Sequence, residues 1–461
     1  MNGRFIRAAA GAVTTGLLVT AAGGAQSALA APRGVVNVPC SAIALTAALK
    51  GASSGETLSL APFCTYGLTA GLPRILENLT IKGNRATIEG QDAGAPDFAI
   101  FRVGSSLGTQ VGTLTTSGLN ISNGAPGINL LRGAVSVNGG KFSGNATAIE
   151  SNFHTTLHVN GTTFTDNSGG WGGAIYGTDS VSVMDSTFTG NSAGRGGAVY
   201  LQFGQQKITD CHFSGNIATD AGGALYDDGH ITMTGTSFTG NRAPVGGAVS
   251  VYDGVEALLT VTGSAFIANS AQIGGAIYNY DGLTVTDSDF TANHATQGGA
   301  IDQDWYATLT GDLFTRNTAA ASGGGMYAGF NTTVDHSTFT RNTAGSDGGG
   351  IYNGPGSLDF GGPLAVSGSS ITGNSAGTDG GGVFNHATLG ATAGLAGTTV
   401  TGNLPDNCAP PKAISGCAAM AIAMGGTGPP GGERGPVPWR SVPRHHGGHL
   451  PRPLLRELTG H

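Results

Sequence analysis

The sequence predicts an all-β chain wound as a single-stranded parallel β-helix, and three recurring features predict it. A Phe-x-x-Asn element returns at Phe142/Asn145, Phe164/Asn167, Phe188/Asn191, Phe213/Asn216, Phe238/Asn241, Phe266/Asn269, Phe290/Asn293, Phe314/Asn317 and Phe339/Asn342. Ile371/Asn374 and Val400/Asn403 continue the series with an aliphatic replacement. Five or six residues after most of these asparagines comes Gly-Gly-(Ala/Gly)-aliphatic, usually followed by an aromatic, as in Gly196–Tyr200 and Gly274–Tyr278. A short alternating run, such as Leu283-Thr284-Val285-Thr286, precedes each phenylalanine. Successive copies lie 22, 24, 25, 25, 28, 24, 24, 25, 32 and 29 residues apart.

Each unit therefore holds two short period-2 strands divided by glycine or polar turns, without helical periodicity. One unit cannot fold alone. Burying its Phe and three or four aliphatics yields roughly 1.5–3 kcal/mol per side chain, whereas ordering its residues costs on the order of 1–2 kcal/mol each. Stacking the units, with hydrogen bonds passed from coil to coil around one apolar interior, closes that gap. A propeller blade needs about 40–45 residues, more than this repeat supplies. The phenylalanines are expected to stack inside, and the asparagines to bond amide to amide up the axis. Paired glycines serve sharp turns or close backbone approach.

Taken from the N-terminus, residues 1–30 read as a secretory signal: Arg4 and Arg7, an apolar stretch from Ala8 to Ala22, and Ala28-Leu29-Ala30 as a small-x-small cleavage site. Residues 31–141 read as an N-terminal cap and the first irregular coils. Ser41 is placed to cap a helix over Ala42–Lys50 whose Ile43, Ala47 and Leu49 would cover the open end of the core. Strands are expected at Leu58–Leu60, Leu79–Ile81 and Ala99–Val103. Residues 142–424 hold the regular coils and a C-terminal cap. Residues 425–461, rich in proline and arginine, read as a disordered basic tail. Cys40 with Cys64 and Cys408 with Cys417 are candidate disulfides at the two ends of the fold, in an oxidising compartment. Cys211 stands alone, in a slot that holds Ser186, Thr236, Ser264, Ser288 and Ser337 in other coils, and reads as a small buried residue.

Composition excludes several function classes. Glycine supplies 82 of 461 residues without a three-residue period, so a collagen helix is ruled out. The formal charge is −7 although both ends are basic, so the body is more acidic still and offers no electrostatic footprint for nucleic acid. The apolar run Ala413–Met424 is shorter than the roughly 20 residues a membrane span needs. No His-Glu-x-x-His zinc pattern or Walker lysine is present.

The alternation of Gly-Gly-Ala-(Ile/Leu/Val) with Phe-x-x-Asn over about 142–403 resembles the repeat of the chlamydial polymorphic outer membrane proteins. It is also similar to the repeat of related bacterial right-handed β-helix proteins of the pectate-lyase-like superfamily. The resemblance implies a right-handed coil. It does not fix an activity, because that fold hosts adhesins, lyases, hydrolases and inert scaffolds.

Function must then reside in outward departures from the repeat. After the Gly-Gly strand, successive coils place Asp227 and Asp228, Asp253, Asp281, and Asp302 with Asp304. Asp302 replaces the usual aromatic, and both it and Asp304 are expected to face outward from one strand, about 6.5–7 Å apart. Such a pair suits acid–base work in glycoside cleavage, or a calcium ion held with help from the next coil. Trp305, Tyr306, Tyr280 and Tyr252 lie close by and could stack on sugar rings. His230 follows Asp227 and Asp228 as a turn residue. A second array, Thr232/Thr234, Thr260/Thr262, Thr284/Thr286 and Thr308/Thr310, resembles the ice-contacting face of β-helical antifreeze proteins. The expected role is a secreted surface or matrix protein, adhesin-like or glycan-binding, with a polysaccharide or cell-surface component as partner and no resident cofactor apart from the calcium option. A polysaccharide lyase or glycoside hydrolase is the alternative, and ice binding a minor one.

Overall fold

The computed structural model describes residues 34–91, 98–106, 109–252, 257–356, 361–386 and 391–417. The signal-like segment 1–30 and the tail 425–461 lie outside them, as does Asp253. The chain winds as a right-handed parallel β-helix. Three long sheets of 16, 14 and 13 strands run along it, and each regular coil gives one strand to each. One coil, for example, contributes Ser180–Met184 to the first sheet, Thr187–Thr189 to the second and Val199–Leu201 to the third.

Coils pair parallel and in register, so repeated residues become columns. Phe188 pairs with Phe164 on one side and Phe213 on the other. Phe142 to Phe339 form one continuous interior stack, with ring centroids 4.3 Å apart at Phe314–Phe339 and 5.1 Å at Phe142–Phe164. Phe238 lies fully buried, 4.9 Å from both Phe213 and Phe266. Offset aromatic pairs contribute about 0.5–1.5 kcal/mol each beyond the area they bury. Phe238→Leu, which keeps an apolar side chain but forfeits both ring contacts, is expected to cost about 1–2.5 kcal/mol in urea unfolding. A loss near zero would mean that the stack adds nothing beyond filling space.

Beside the rings runs an amide ladder. Each asparagine donates its backbone N–H and its Nδ2 to the Oδ1 of the asparagine in the next coil, as Asn191 does to Asn216 at 3.0 Å in both cases. The remaining Nδ2 hydrogen goes back to a phenylalanine carbonyl, Phe164 for Asn191, at 3.1 Å. The same pattern passes through Asn241, Asn269, Asn293 and Asn317. The residue before the asparagine turns the chain with a left-handed backbone, φ +63° at Gly190 and +55° at Arg316. In the Gly-Gly element, a Cβ on Gly223 would sit 2.1 Å from the Gly247 carbonyl oxygen, so only glycine fits there.

A second ladder uses hydroxyls. Ser264 accepts from the Thr236 N–H and donates to the Thr262 carbonyl, and Ser288 repeats this with Ser264 N–H and Thr286. Cys211 occupies this slot fully buried, its thiol turned to the carbonyls of Thr209 and Val183, and burial pushes its pKa up to about 11.

The helix at the N-terminal end spans Ala42–Gly51, with Ser41 Oγ accepting from the Ala44 N–H at 3.4 Å. Its buried side chains are Leu45 and Leu49, one turn apart, whereas Ile43 is 82% exposed and Ala47 faces solvent. The expected face was therefore rotated: the i, i+4 pair Leu45/Leu49 sets the side that meets the core. Cys40 bonds to Cys64 beside this helix, and Cys408 bonds to Cys417 at the other end. No helix among the described residues is long and apolar enough to cross a membrane.

Candidate functional site

Parallel registry makes one outward column on the third sheet. It runs Asn129, Glu150, Tyr176, Tyr200, Tyr226, Ser250, Tyr278, Asp302, Tyr327, Tyr352 and Phe384. These side chains face away from the core because their strand neighbours, such as Ile149, Ile175 and Val199, point inward. Tyr176 stacks on Tyr200 at 5.6 Å, and Tyr200 on Tyr226 at 5.1 Å.

The chain before this strand supplies one flank. Trp171 is 45% exposed and sets its ring edge on Tyr200 at 4.9 Å. Arg195, aligned beside Trp171 in the next coil, places its guanidinium 5.5 Å from the Trp171 ring and 5.2 Å from Tyr226. Asp220 fixes it through a 2.7 Å contact to Nε. The corner after the strand supplies the other flank, where the exposed rings of Phe153 and Phe203 lie 5.8 Å apart. Between the flanks a polar chain joins the tyrosines. Tyr176 donates to Gln202 Oε1 at 3.0 Å, Gln202 Nε2 donates to Tyr200 Oη at 2.7 Å, and Tyr200 donates to Asp228 Oδ2 at 2.6 Å.

Electrostatically this strip is negative. Glu150 is half-buried, and burial raises its carboxyl pKa, opposed in part by a hydrogen bond from Asn152. Tyr176 is raised by burial and then by the charges of Glu150 and Asp228, which places both carboxylates within electrostatic reach of its phenol. Burial and the Asp228 carboxylate push Tyr226 and Tyr200 far up, so both stay neutral donors.

The sequence-predicted residues are dispersed. Asp228 belongs to the strip just described. Asp227 does not face outward: strand alternation after the inward Leu225 carries it inside, fully buried, with Oδ2 accepting from the Gly229 N–H. Asp302 does sit on the outer side of its strand, but it lies between Tyr278 and Tyr327 and is only 1% exposed. Burial, then the neighbouring Asp304, hold its pKa well above the carboxylate range. The strand ends at Gln303, so Asp304 lies on the corner, where it is buried and accepts from Tyr278 Oη at 3.0 Å. The expected exposed pair on one strand is thus replaced by two covered carboxyls. Asp281 and Tyr280 lie half-buried on the preceding corner, with Tyr280 5.1 Å from Tyr252. Trp305 packs with Tyr306 and Phe330 at 5.8 and 5.6 Å. Among the described residues no group of three or more His, Cys, Asp or Glu is arranged to hold a metal ion.

The threonine rows align side by side on the outer face of the first sheet, with Lys207 beside Thr232 and Asp335 beside Thr310. Sequence reasoning passed over Glu150, Trp171, Tyr176, Arg195, Phe153 and Phe203. The signal available for them was the substitution of Glu150 for the aromatic that follows the aliphatic in most coils.

Comparison with known proteins agrees with the architecture. Residues 103–290 match the family described as right handed beta helix region, and residues 336–354 match the Chlamydia polymorphic membrane protein repeat. No curated protein sequence matches the chain. Among solved structures, the chain is similar to the catalytic unit of a thermostable GH87 alpha-1,3-glucanase from Streptomyces thermodiastaticus strain HF3-3. The identity is 13%, over 79% of this chain and 63% of that one, with a TM-score of 0.35. It is also similar to PfbA, a surface adhesin of Streptococcus pneumoniae, at 12% identity over 77% of this chain and 86% of that one, with a TM-score of 0.34. The chain therefore spans less than two thirds of the glucanase unit.

Proposed function

We propose that this β-helix acts outside the cell as a glycan-binding surface or matrix protein, and that the strip from Glu150 to Asp228 is where an extended saccharide lies. One observation carries the reading: Trp171, Tyr176, Phe153 and Phe203 present ring surface to solvent around a row of fixed polar groups, Glu150, Gln202 and Asp228. Saccharide recognition combines apolar ring faces with a few oriented hydrogen-bonding groups, and rigid strands hold both in place. Exposed aromatics gathered on one face of an otherwise hydroxyl- and glycine-rich surface mark an interaction site.

Binding is favoured over polysaccharide cleavage on the Asp302–Asp304 strand because Asp302, at 1% exposed, does not reach a soluble substrate. Affinity electrophoresis through gels containing dissolved polysaccharides tests the proposal. The intact protein is expected to be retarded, and Trp171→Ala to weaken retardation at least about tenfold, the loss of one stacking contact and its buried area. Equal retardation of the wild type, Trp171→Ala and Phe203→Ala by every polymer that binds would remove this strip from the reading. Release of reducing ends from any of those polymers would instead favour the hydrolase.

A further inference from the structure

The charge of the strip narrows the ligand class, given the glycan reading above. We propose that the Glu150–Tyr176 corner recognises a protonated amino group, so that the preferred ligand is a polymer of free-amine sugars and not a uronate. Three observations converge on this assignment.

The aromatic stack ends at this corner. Tyr176 has Tyr200 against one ring face, and the next position down the column is Glu150, so the other end of the stack meets a carboxylate in place of a ring. Both side chains are half-buried, with access from solvent. A cation set there would touch a π face and a carboxylate together, the two features that ammonium sites combine.

Glu150 takes part in no ion pair among the described residues; its partner is the neutral Asn152. The column holds Asn129 next to it, and Arg102 only at the following strand, roughly 10 Å away by strand spacing. The nearest cation on the other side, Arg195, is tied to Asp220. Glu150 therefore presents a carboxylate with no ion-pair partner among the described residues, and Asp228, three strands along the same face, also acts on Tyr176. An anionic sugar brought to this corner would meet a like charge in a partly desolvated setting.

The same surface already accommodates a cation one step along. Arg195 lies against the rings of Trp171 and Tyr226 at 5.5 and 5.2 Å, which shows that these faces accept a positive group. The Glu150 corner likewise sets a carboxylate next to a tyrosine ring.

The test is calorimetry of the full secreted chain with three oligosaccharides of equal length: glucosamine, N-acetylglucosamine and galacturonic acid oligomers, at about pH 6, where free amines are largely charged and ordinary carboxyls ionised. The glucosamine oligomer is expected to bind at least about tenfold more tightly than its N-acetylated form, and the uronate more weakly than either. Glu150→Gln, which keeps the side-chain shape and removes the charge, is expected to erase the preference for the free amine, so that the two glucosamine-type oligomers bind the variant equally. Trp171→Ala is expected to weaken both. Equal binding of the amine and acetylated forms, or an unchanged preference in Glu150→Gln, overturns the amine assignment and leaves the glycan reading standing. Absence of binding by all three overturns both.

Discussion

Asn241→Leu is expected to destabilise the protein by about 4–6 kcal/mol, the largest loss from any single conservative-volume change considered. The side chain of Asn241 makes four hydrogen bonds inside the coil stack. Its Oδ1 accepts from the backbone N–H and Nδ2 of Asn216, both at 3.0 Å, and its Nδ2 donates to Asn269 Oδ1 at 3.0 Å and to the Phe213 carbonyl at 3.1 Å. Leucine fills similar space but strands the Asn216 N–H, one Asn216 amide hydrogen and the Phe213 carbonyl, all out of reach of water in a column that is fully buried. Each such orphan costs about 1–3 kcal/mol. Because a solenoid passes stability from neighbour to neighbour, the damage should also split unfolding into two phases, with the coils on either side of residue 241 separating. Urea unfolding followed by circular dichroism and by tyrosine fluorescence measures both effects. A loss below about 1.5 kcal/mol would show that the ladder is replaceable packing.

Asp312→Ser works in the opposite direction and depends on pH. Asp312 occupies the hydroxyl slot of the second ladder, with Oδ1 accepting from the Ser288 N–H at 2.8 Å and Oδ2 from the Thr310 N–H at 3.1 Å. Burial pushes its carboxyl up to about 7, against the pull of those two N–H groups and with a further push from Asp287 and Asp289. A folded-state pKa above the unfolded value means that Asp312's contribution is fully present below about pH 4, fades as pH rises, and is lost above about 7. Serine would accept from Ser288 and donate to the Thr310 carbonyl as the other coils do, without a charge to bury. The variant is expected to gain on the order of 2–4 kcal/mol over wild type at pH 8, at about 1.4 kcal/mol per pKa unit, and much less at pH 4. Urea midpoints at the two pH values decide it. An increment of equal size at both would refute the titration of Asp312 as its source.

The asparagine ladder and the ring stack were legible because each needs one residue type at one place in every coil, whereas the slot shared by Ser264 and Ser288 was legible as a position and not as a hydrogen-bonded ladder. Phe213, Asn216 and their counterparts repeat with few exceptions, and registry turns repetition into contact. Asp312 shows the limit: it breaks the serine series as plainly as Cys211 does, yet its titration depends on burial that spacing alone does not give. The outer face was harder to read for a different reason. Alternation assigns Asp302 to the outside correctly, but whether a side chain on that side meets water depends on the rings above and below it and on the corner segments, and these differ from coil to coil. Asp304 and Asp227 failed at strand ends, where the period of two stops or starts a residue away from its expected place. Tyr176 and Tyr200 looked like ordinary members of the repeat, so the strip they form with Glu150 and Trp171 became visible only when consecutive coils were laid side by side.

The unequal coil lengths carry a consequence of their own. A chain of near-identical turns can slide by one full turn and still set phenylalanine on phenylalanine and asparagine on asparagine, a misthreaded state with most of the native contacts. The 28-residue step between Phe238 and Phe266 and the 32-residue step between Phe339 and Ile371 work like the cuts of a key. A slipped chain would have to stretch a short corner over a long one, and the disulfide-tied ends at Cys40–Cys64 and Cys408–Cys417 would no longer meet the terminal turns they close. Irregularity in this protein is what makes threading unique.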